Sequence, residues 1–144
     1  MSWWHAWRER RQKEEMPQHL RTGEWGERLA EAELKKMGYR ILGRRVRVGR
    51  RDELDLIARD GEILVFVEVK TRRNTDYGRP GDAVNRAKRT ACSRAAIRYI
   101  KRLRKRPEYF RFDVVEVIGL QGAPPREIRH IKNAFPLEGR YRPP

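Results

Sequence analysis

Residues 52–73, DELDLIARDGEILVFVEVKTRR, decide the fold. Two apolar runs, Leu54 to Ala58 and Ile63 to Val69, are divided by Asp60-Gly61. Asp-Gly between such runs signals a two-residue hairpin. With Asp60 and Gly61 as the loop, Arg59 pairs with Glu62, Asp55 faces Phe66, and Glu53 faces Glu68. Opposed residues share a face, and so do residues two apart along one strand. Asp55, Glu53, Glu68 and Lys70 are therefore expected on one side of the sheet. Diagonal neighbours such as Asp55 and Glu68 have Cβ atoms about 7–8 Å apart, within reach of one cation. Charged residues set in apolar strands are rarely buried unless paired or bound to a metal.

The flanks supply the helices. Thr22 to Gly38 reads as a helix capped by Thr22 and stopped by Gly38, with Trp25, Leu29, Ala32 and Met37, widened by Ala30 and Leu34, as its apolar stripe. Glu27 sits at the border of that stripe, where a glutamate is ordinarily a solvated helix residue. Tyr39 to Val48 alternates apolar and basic residues and suggests a strand, or two extended pieces, with one wet face. After Lys70 comes a turn-rich loop. Asp82 is expected to cap a second helix from about Ala83 to Lys105, packed through Val84, Ala87, Ala91, Ala95, Tyr99 and Leu103, with Cys92, Ala96 and Ile100 widening the stripe. Its polar positions from Arg86 to Arg106 are almost all basic and none is acidic, whereas solvated helix faces usually mix both signs. Phe110 to Ile118 is a strand carrying Asp113, and Glu127 to Ile131 a short last strand.

The order α-β-β-β-α-β-β describes an α/β fold, a central mixed sheet flanked by helices. One domain over residues 22–135 is expected, between a basic, tryptophan-containing extension (1–21) and a tail (136–144). Trp3, Trp4 and Trp7 either belong to a mobile extension or dock on the domain or a partner.

At 144 residues the chain suits one core. Its net charge of +15 suggests a polyanionic partner, nucleic acid ahead of an acidic membrane surface. No apolar run approaches a membrane span and the N-terminus lacks the apolar core of a secretion signal, so a cytoplasmic location is the default. A single cysteine and three scattered histidines exclude an internal disulfide and a zinc-ligand spacing.

Clustered carboxylates on a half-buried face repel one another unless a cation neutralises them. A hard divalent ion such as Mg²⁺, which takes oxygen ligands from one or two carboxylates and keeps several waters, meets that need. The alternative is an ordinary Glu68–Lys70 ion pair, with Asp55 bonding backbone amides.

Asp55 followed by Glu68-Val69-Lys70 is similar to the PD-(D/E)xK motif of restriction-endonuclease-like nucleases. The wider pattern GEWGERLAEAELKKMGYRIL, DELDLIA, LVFVEVKTR, the helix with Lys88, and RFDVV resembles the YraN-like family of small bacterial proteins over roughly Thr22 to Ile118. Members of that family are predicted endonucleases similar to archaeal Holliday-junction resolvases. The resemblance implies a restriction-endonuclease-like core in which Asp55, Glu68 and Glu27 hold Mg²⁺ or Mn²⁺ and Lys70 positions the attacking water. Glu53 takes a supporting role, and Lys88 and Asp113 occupy matching positions with less defined roles. Asp52 stands where the family has glycine, and Arg44-Arg45 where asparagine is common.

The expectation is Mg²⁺-dependent hydrolysis of a DNA phosphodiester, structure-selective, on branched or junction substrates. Arg72, Arg73 and Arg79 on the loop, with Arg86 and Arg89 on the helix, would grip the backbone without reading sequence. The resemblance to junction resolvases also implies a homodimer, as a palindromic cut of two strands would require. The rivals are a non-cutting nucleic-acid-binding protein of the same fold, a structural partner in a repair, recombination or ribosome-linked assembly, and RNA cleavage. For RNA the aromatic platform usual with single strands is missing.

Overall fold

The computed structural model describes residues 18–73, 84–139 and 141, with backbone only for 18–21. Helix α1 (Gln18–Lys36) leads into β1 (Arg40–Val48), β2 (Asp52–Asp60) and β3 (Ile63–Arg72). Helix α2 (Arg86–Arg102), β4 (Tyr109–Ile118) and β5 (Glu127–Phe135) follow. The strands form one five-stranded sheet in sequence order. Neighbours are antiparallel except β3 and β4, which run parallel because α2 carries the chain back across the sheet. This is the expected mixed sheet between helices.

Burial on both faces explains the continuous apolar run of β3. Val65 and Val67 pack with Leu56, Ala58, Val115 and Val117 against Ala30 and Leu34 of α1. Leu64 and Phe66 pack with Ile57, Phe112 and Val114 against Cys92, Ala95, Ala96 and Ile100 of α2. Each helix is rotated slightly from its expected orientation. Met37 is exposed, and so are Ala32 and Ala87, while Gly26, Ala30 and Leu34, and Cys92, Ala96 and Ile100, face the sheet. Small residues sit on several sides of both helices, so the sequence pattern alone locates the contact line only loosely.

Several boundaries move. Helix α1 is already formed at Gln18, the first described residue, so Thr22 lies inside it and donates from Oγ1 to Gln121 Oε1 (3.3 Å) instead of capping. Helix α2 starts at Arg86 and ends at Arg102. Asn85 is its cap, accepting from the Lys88 amide at 2.9 Å, while Asp82 and Ala83 lie outside the described residues. The last strand runs on to Phe135.

The hairpin turn also sits one residue further along. Asp60 pairs with Ile63, and Gly61, at φ +59°, is the first loop residue. A two-residue hairpin turn needs a positive φ at that position, which glycine adopts without strain. The expected Arg59–Glu62 and Asp55–Phe66 pairings are therefore replaced. Leu56 lies opposite Val67, and the same register continued one step sets Asp55 opposite Glu68. Moving the loop by one residue changes which residues are opposed but preserves the faces as far as Leu56, where the β2–β3 pairing ends.

Among the described residues, no helix is long and apolar enough to cross a membrane.

Candidate functional site: a carboxylate pair at the fork of β2 and β3

The β2–β3 ladder stops at Leu56–Val67, and there the strands part. Asp55 fills the gap with its side chain, accepting from the Val69 amide at Oδ2 (2.9 Å). Across from it, Arg45 in β1 has φ +45°, a left-handed conformation costly for a non-glycine residue. This kink goes with a change of face along β2. Leu56 and Ala58 join the α1 cluster, whereas Leu54 joins the α2 cluster. At the start of β2, Asp52 binds Arg94 of α2 through both oxygens, each 2.7 Å from a guanidinium nitrogen. That fork-to-fork ion pair ties the beginning of β2 to α2 and gives Asp52 a structural task.

Glu68 is 7% exposed. Lys88 Nζ lies 3.2 Å from its Oε1 and Cys92 Sγ 3.7 Å from its Oε2, so one helix holds both oxygens. Burial, followed by the adjacent Glu68, pushes the Asp55 carboxyl well above the ordinary range, and the two acids are close enough to share a hydrogen bond. Burial and the neighbouring Glu68 carboxylate also push the Cys92 thiol up, which keeps it a neutral donor. The lysine at the pair is therefore Lys88. Lys70 is exposed, beside Val69 and Thr71. Of the ordinary structural alternative, Asp55's bond to an amide is present. Glu68's cation is from the helix.

Glu27 stands on the α1 side. Arg45 Nε contacts its Oε2 at 2.6 Å, and Arg45 also reaches Glu24 at 3.5 Å. Burial raises the Glu27 carboxyl, the Arg45 hydrogen bond opposes that rise, and Asp55 and then Glu53 add repulsion. Asp55 thus borders both groups, with Glu68 and Lys88 toward α2 and Glu27, Arg45 and Glu53 toward α1. Of the residues expected on one face, Glu53 is set apart from Glu68 and Lys70, because the kink in β2 turns it toward Glu27 and Arg45. Among the described residues, no three acidic, histidine or cysteine side chains converge as a ready-made metal cage.

Helix α1 comes this close to β3 because residue 26 is glycine. A Cβ there would lie 2.2 Å from Thr71 Oγ1. The approach sets the N-terminal half of α1 beside a cleft at the ends of β3 and β4, with a volume near 870 Å³. Lys70, Thr71, Arg72 and Arg73 line one side of it, and Gly119 to Gln121 another. Arg86 is exposed at the start of α2. Arg89 is half-buried, with its Nε enclosed and unbonded among the described residues. Arg79 lies outside the described residues.

Asp113 serves a different purpose. It is fully buried and accepts from Arg111 Nε (2.9 Å), His130 Nε2 (2.7 Å) and the Asn133 amide (3.0 Å). Arg111 continues to the Tyr39 hydroxyl (2.6 Å) and Asp60 (3.0 Å). This network ties β4 to β5 and to the far end of the hairpin.

Sequence reading passed over two residues. Cys92 reads in the sequence as a small core residue, and nothing in its spacing points to a carboxylate. Glu116 is completely buried in β4, in register with Lys70. A glutamate inside FRFDVVEVI carries the same signal as Glu68 inside its own run, so it was detectable.

Comparison with known proteins assigns the family. The family model described as uncharacterised protein family UPF0102 matches residues 26–117. A UPF0102 protein of Symbiobacterium thermophilum is 50% identical over 117 residues, covering 80% of this chain and 96% of the relative. One from Syntrophus aciditrophicus is 45% identical over 123 residues (85% and 94%). Another, from Geobacter sulfurreducens, is 46% identical over 112 (78% and 86%). The chain belongs to the uncharacterised protein family UPF0102.

Proposed function

We propose that this protein is a Mg²⁺-dependent endonuclease acting on DNA, selective for branched or junction structure. The observation that carries the reading is the Asp55–Glu68 pair, two adjoining carboxylates held at the fork of β2 and β3 in an otherwise strongly basic protein. A buried and a half-buried acid forced together are a costly arrangement that a hard dication relieves, and their oxygens suit Mg²⁺ or Mn²⁺. The residues fit such an ion, with Asp55 and Glu68 as holders and water completing the coordination. Glu27 joins only by leaving Arg45. A bound divalent ion supplies Lewis-acid charge that favours deprotonated water and offsets the charge of the transition state.

The chain's own residues do the rest. Lys70 lies at the edge of the cleft, and on this reading it would approach the attacking water from there and face the negative charge that develops on phosphorus, while Lys88 stands at the acids. Arg72 and Arg73 hold the phosphates on either side, and Arg86 extends that grip along α2. Phosphate contacts fix position without reading bases, which suits selection by DNA shape. The water oxygen bonds to phosphorus and gives up a proton to solvent, the P–O bond to the leaving nucleotide breaks, and the departing oxygen takes up a proton in its place. Cutting both strands of a junction requires two copies acting together.

A second reading has its own support. Glu68 is already paired with Lys88 and Glu27 with Arg45, so the acids are partly neutralised within the chain. A non-cutting nucleic-acid-binding protein would look the same. Incubating branched, nicked and linear DNA with Mn²⁺ and either wild type or Glu68→Ala separates the two. Cleavage of branched DNA by wild type alone is expected. Equal cleavage by both removes Glu68 from the site, and cleavage by neither favours the binding-only protein.

A further inference from the structure

We propose that Lys88 is the resident counter-ion of the Asp55–Glu68 pair, and that a divalent cation entering the pair displaces its ammonium group. The proposal rests on the metal-site reading above and adds how that site is regulated. The strand lysine of the motif is not the residue at the acids. Lys88 is, with Nζ 3.2 Å from Glu68 Oε1. Its backbone is fixed by the helix cap, where Asn85 accepts from the Lys88 amide. One turn later, Cys92 holds the other oxygen of Glu68. Helix α2 therefore presents a cation and a neutral donor four residues apart to the same carboxylate, the spacing that puts two side chains on one helix face.

The exposures differ in a telling way. The Glu68 side chain is 7% exposed, and the Lys88 side chain 45%. The carboxylate cannot turn away from the pair, but the ammonium can swing outward on its flexible stem into water. A dication bound to Glu68 Oε1 would put its charge where Lys88 now sits. The two cations repel, and only the lysine has somewhere to go. Once displaced, the ammonium stands on the solvent side of the acids, where an incoming phosphodiester meets it. Lys88 is thus a positioning residue. It keeps the pair intact while no dication is bound, and it sets a threshold concentration for loading.

The test is Mn²⁺ binding to the full chain without DNA, measured by calorimetry and by the electron paramagnetic resonance of free Mn²⁺. Lys88→Met should bind Mn²⁺ about tenfold tighter than wild type, the scale of one charge–charge term at a half-exposed site. Lys88→Arg, which keeps the charge, should stay close to wild type. Metal-free Lys88→Met should also melt below wild type and gain more from saturating Mn²⁺. Lys88→Gln repeats the charge removal with a polar side chain, should the methionine variant fail to fold. Equal or weaker Mn²⁺ binding by the charge-removed variants overturns the displacement. In that outcome wild type still binds, so the metal-site reading survives. Binding by none of the proteins overturns both.

Discussion

Replacing Asp113 with Asn removes a negative charge at a position with no solvent exposure, where it faces the Arg111 guanidinium, His130 Nε2 and the Asn133 amide. The asparagine keeps one oxygen but turns an amide N–H₂ toward groups that also donate. Breaking a buried ion pair from one side costs about 3–5 kcal/mol. Arg111 retains Asp60 at 3.0 Å, and its side chain keeps some contact with water at 15% exposure, so the lower end, about 3 kcal/mol, applies. A domain of this size is stable by about 5–15 kcal/mol, so the loss is large without preventing folding. With a urea slope near 2 kcal/mol/M, the unfolding midpoint falls by roughly 1.5 M at pH 7. The difference should also depend on pH. Burial alone would raise the Asp113 carboxyl, but the bonds from His130 and Arg111 outweigh it and hold the group below its ordinary value. Its contribution is therefore complete above the ordinary carboxylate range and is lost as pH falls through the depressed value. Wild type and variant should converge in acid. A difference under about 1 kcal/mol at pH 7, or one that does not narrow in acid, refutes the network as a source of stability. Mn²⁺ affinity per folded molecule should not change, and a large loss would make Asp113 part of the site.

Asp55 predicts the opposite pH slope. Its carboxyl is raised by burial and by Glu68, so the metal-free protein should lose stability as pH climbs from the ordinary carboxylate range toward that raised value; urea melts of Glu68→Gln should show a shallower loss, and saturating Mg²⁺ should flatten the wild-type curve. Gly26→Ala should destabilise by about 1–3 kcal/mol in thermal melts, although alanine is the better helix former, because its Cβ would lie 2.2 Å from Thr71 Oγ1. A gain in melting temperature would mean that α1 lifts off β3 freely. Arg73→Ala should reduce the salt dependence of DNA binding by about one counterion and weaken all sequences alike, as a phosphate contact does. Filter binding over a salt series reads both effects.

The fold was legible because its main signals are local and redundant. Asp-Gly between two apolar runs implies a hairpin, and a basic amphipathic stretch between β3 and β4 implies the crossover that makes those strands parallel. The site was only half legible. Alternation assigns faces correctly while a strand is regular, and β3 is regular, so Glu68 could be placed. Strand β2 is not. The left-handed Arg45 and the end of the ladder at Leu56 lie opposite Asp55 and beside it, and no residue type in ELDLI announces either. Alternation therefore groups Glu53 with Glu68, whereas Glu53 lies toward Glu27 and Arg45. Partners from distant segments were the least visible. Lys88 and Cys92 reach Glu68 across the core from α2, and Arg94 reaches Asp52 in the same way. Their spacing along the helix is ordinary until the sheet is placed beneath it.

Those distant partners divide the acids of the fork in a way that favours Asp55 as the residue that calls for a cation. Asp52 has Arg94, Glu27 has Arg45 and Glu68 has Lys88. Among the described residues Asp55 has no cation within ion-pair distance, and the Val69 amide occupies only one of its oxygens. A neutral amide stabilises a carboxylate less than a guanidinium does, and here it does not offset burial and the neighbouring Glu68. Had the fork evolved only to close a sheet, an asparagine at 55 could accept the same amide bond without the charge. An aspartate there, against a second acid, costs stability as it ionises, and the Val69 amide offsets only part of that cost. If the proposed cation relieves that cost, Asp55→Asn should raise metal-free stability while abolishing Mn²⁺ binding. A variant that is both less stable and equally able to bind Mn²⁺ would return Asp55 to a purely structural role.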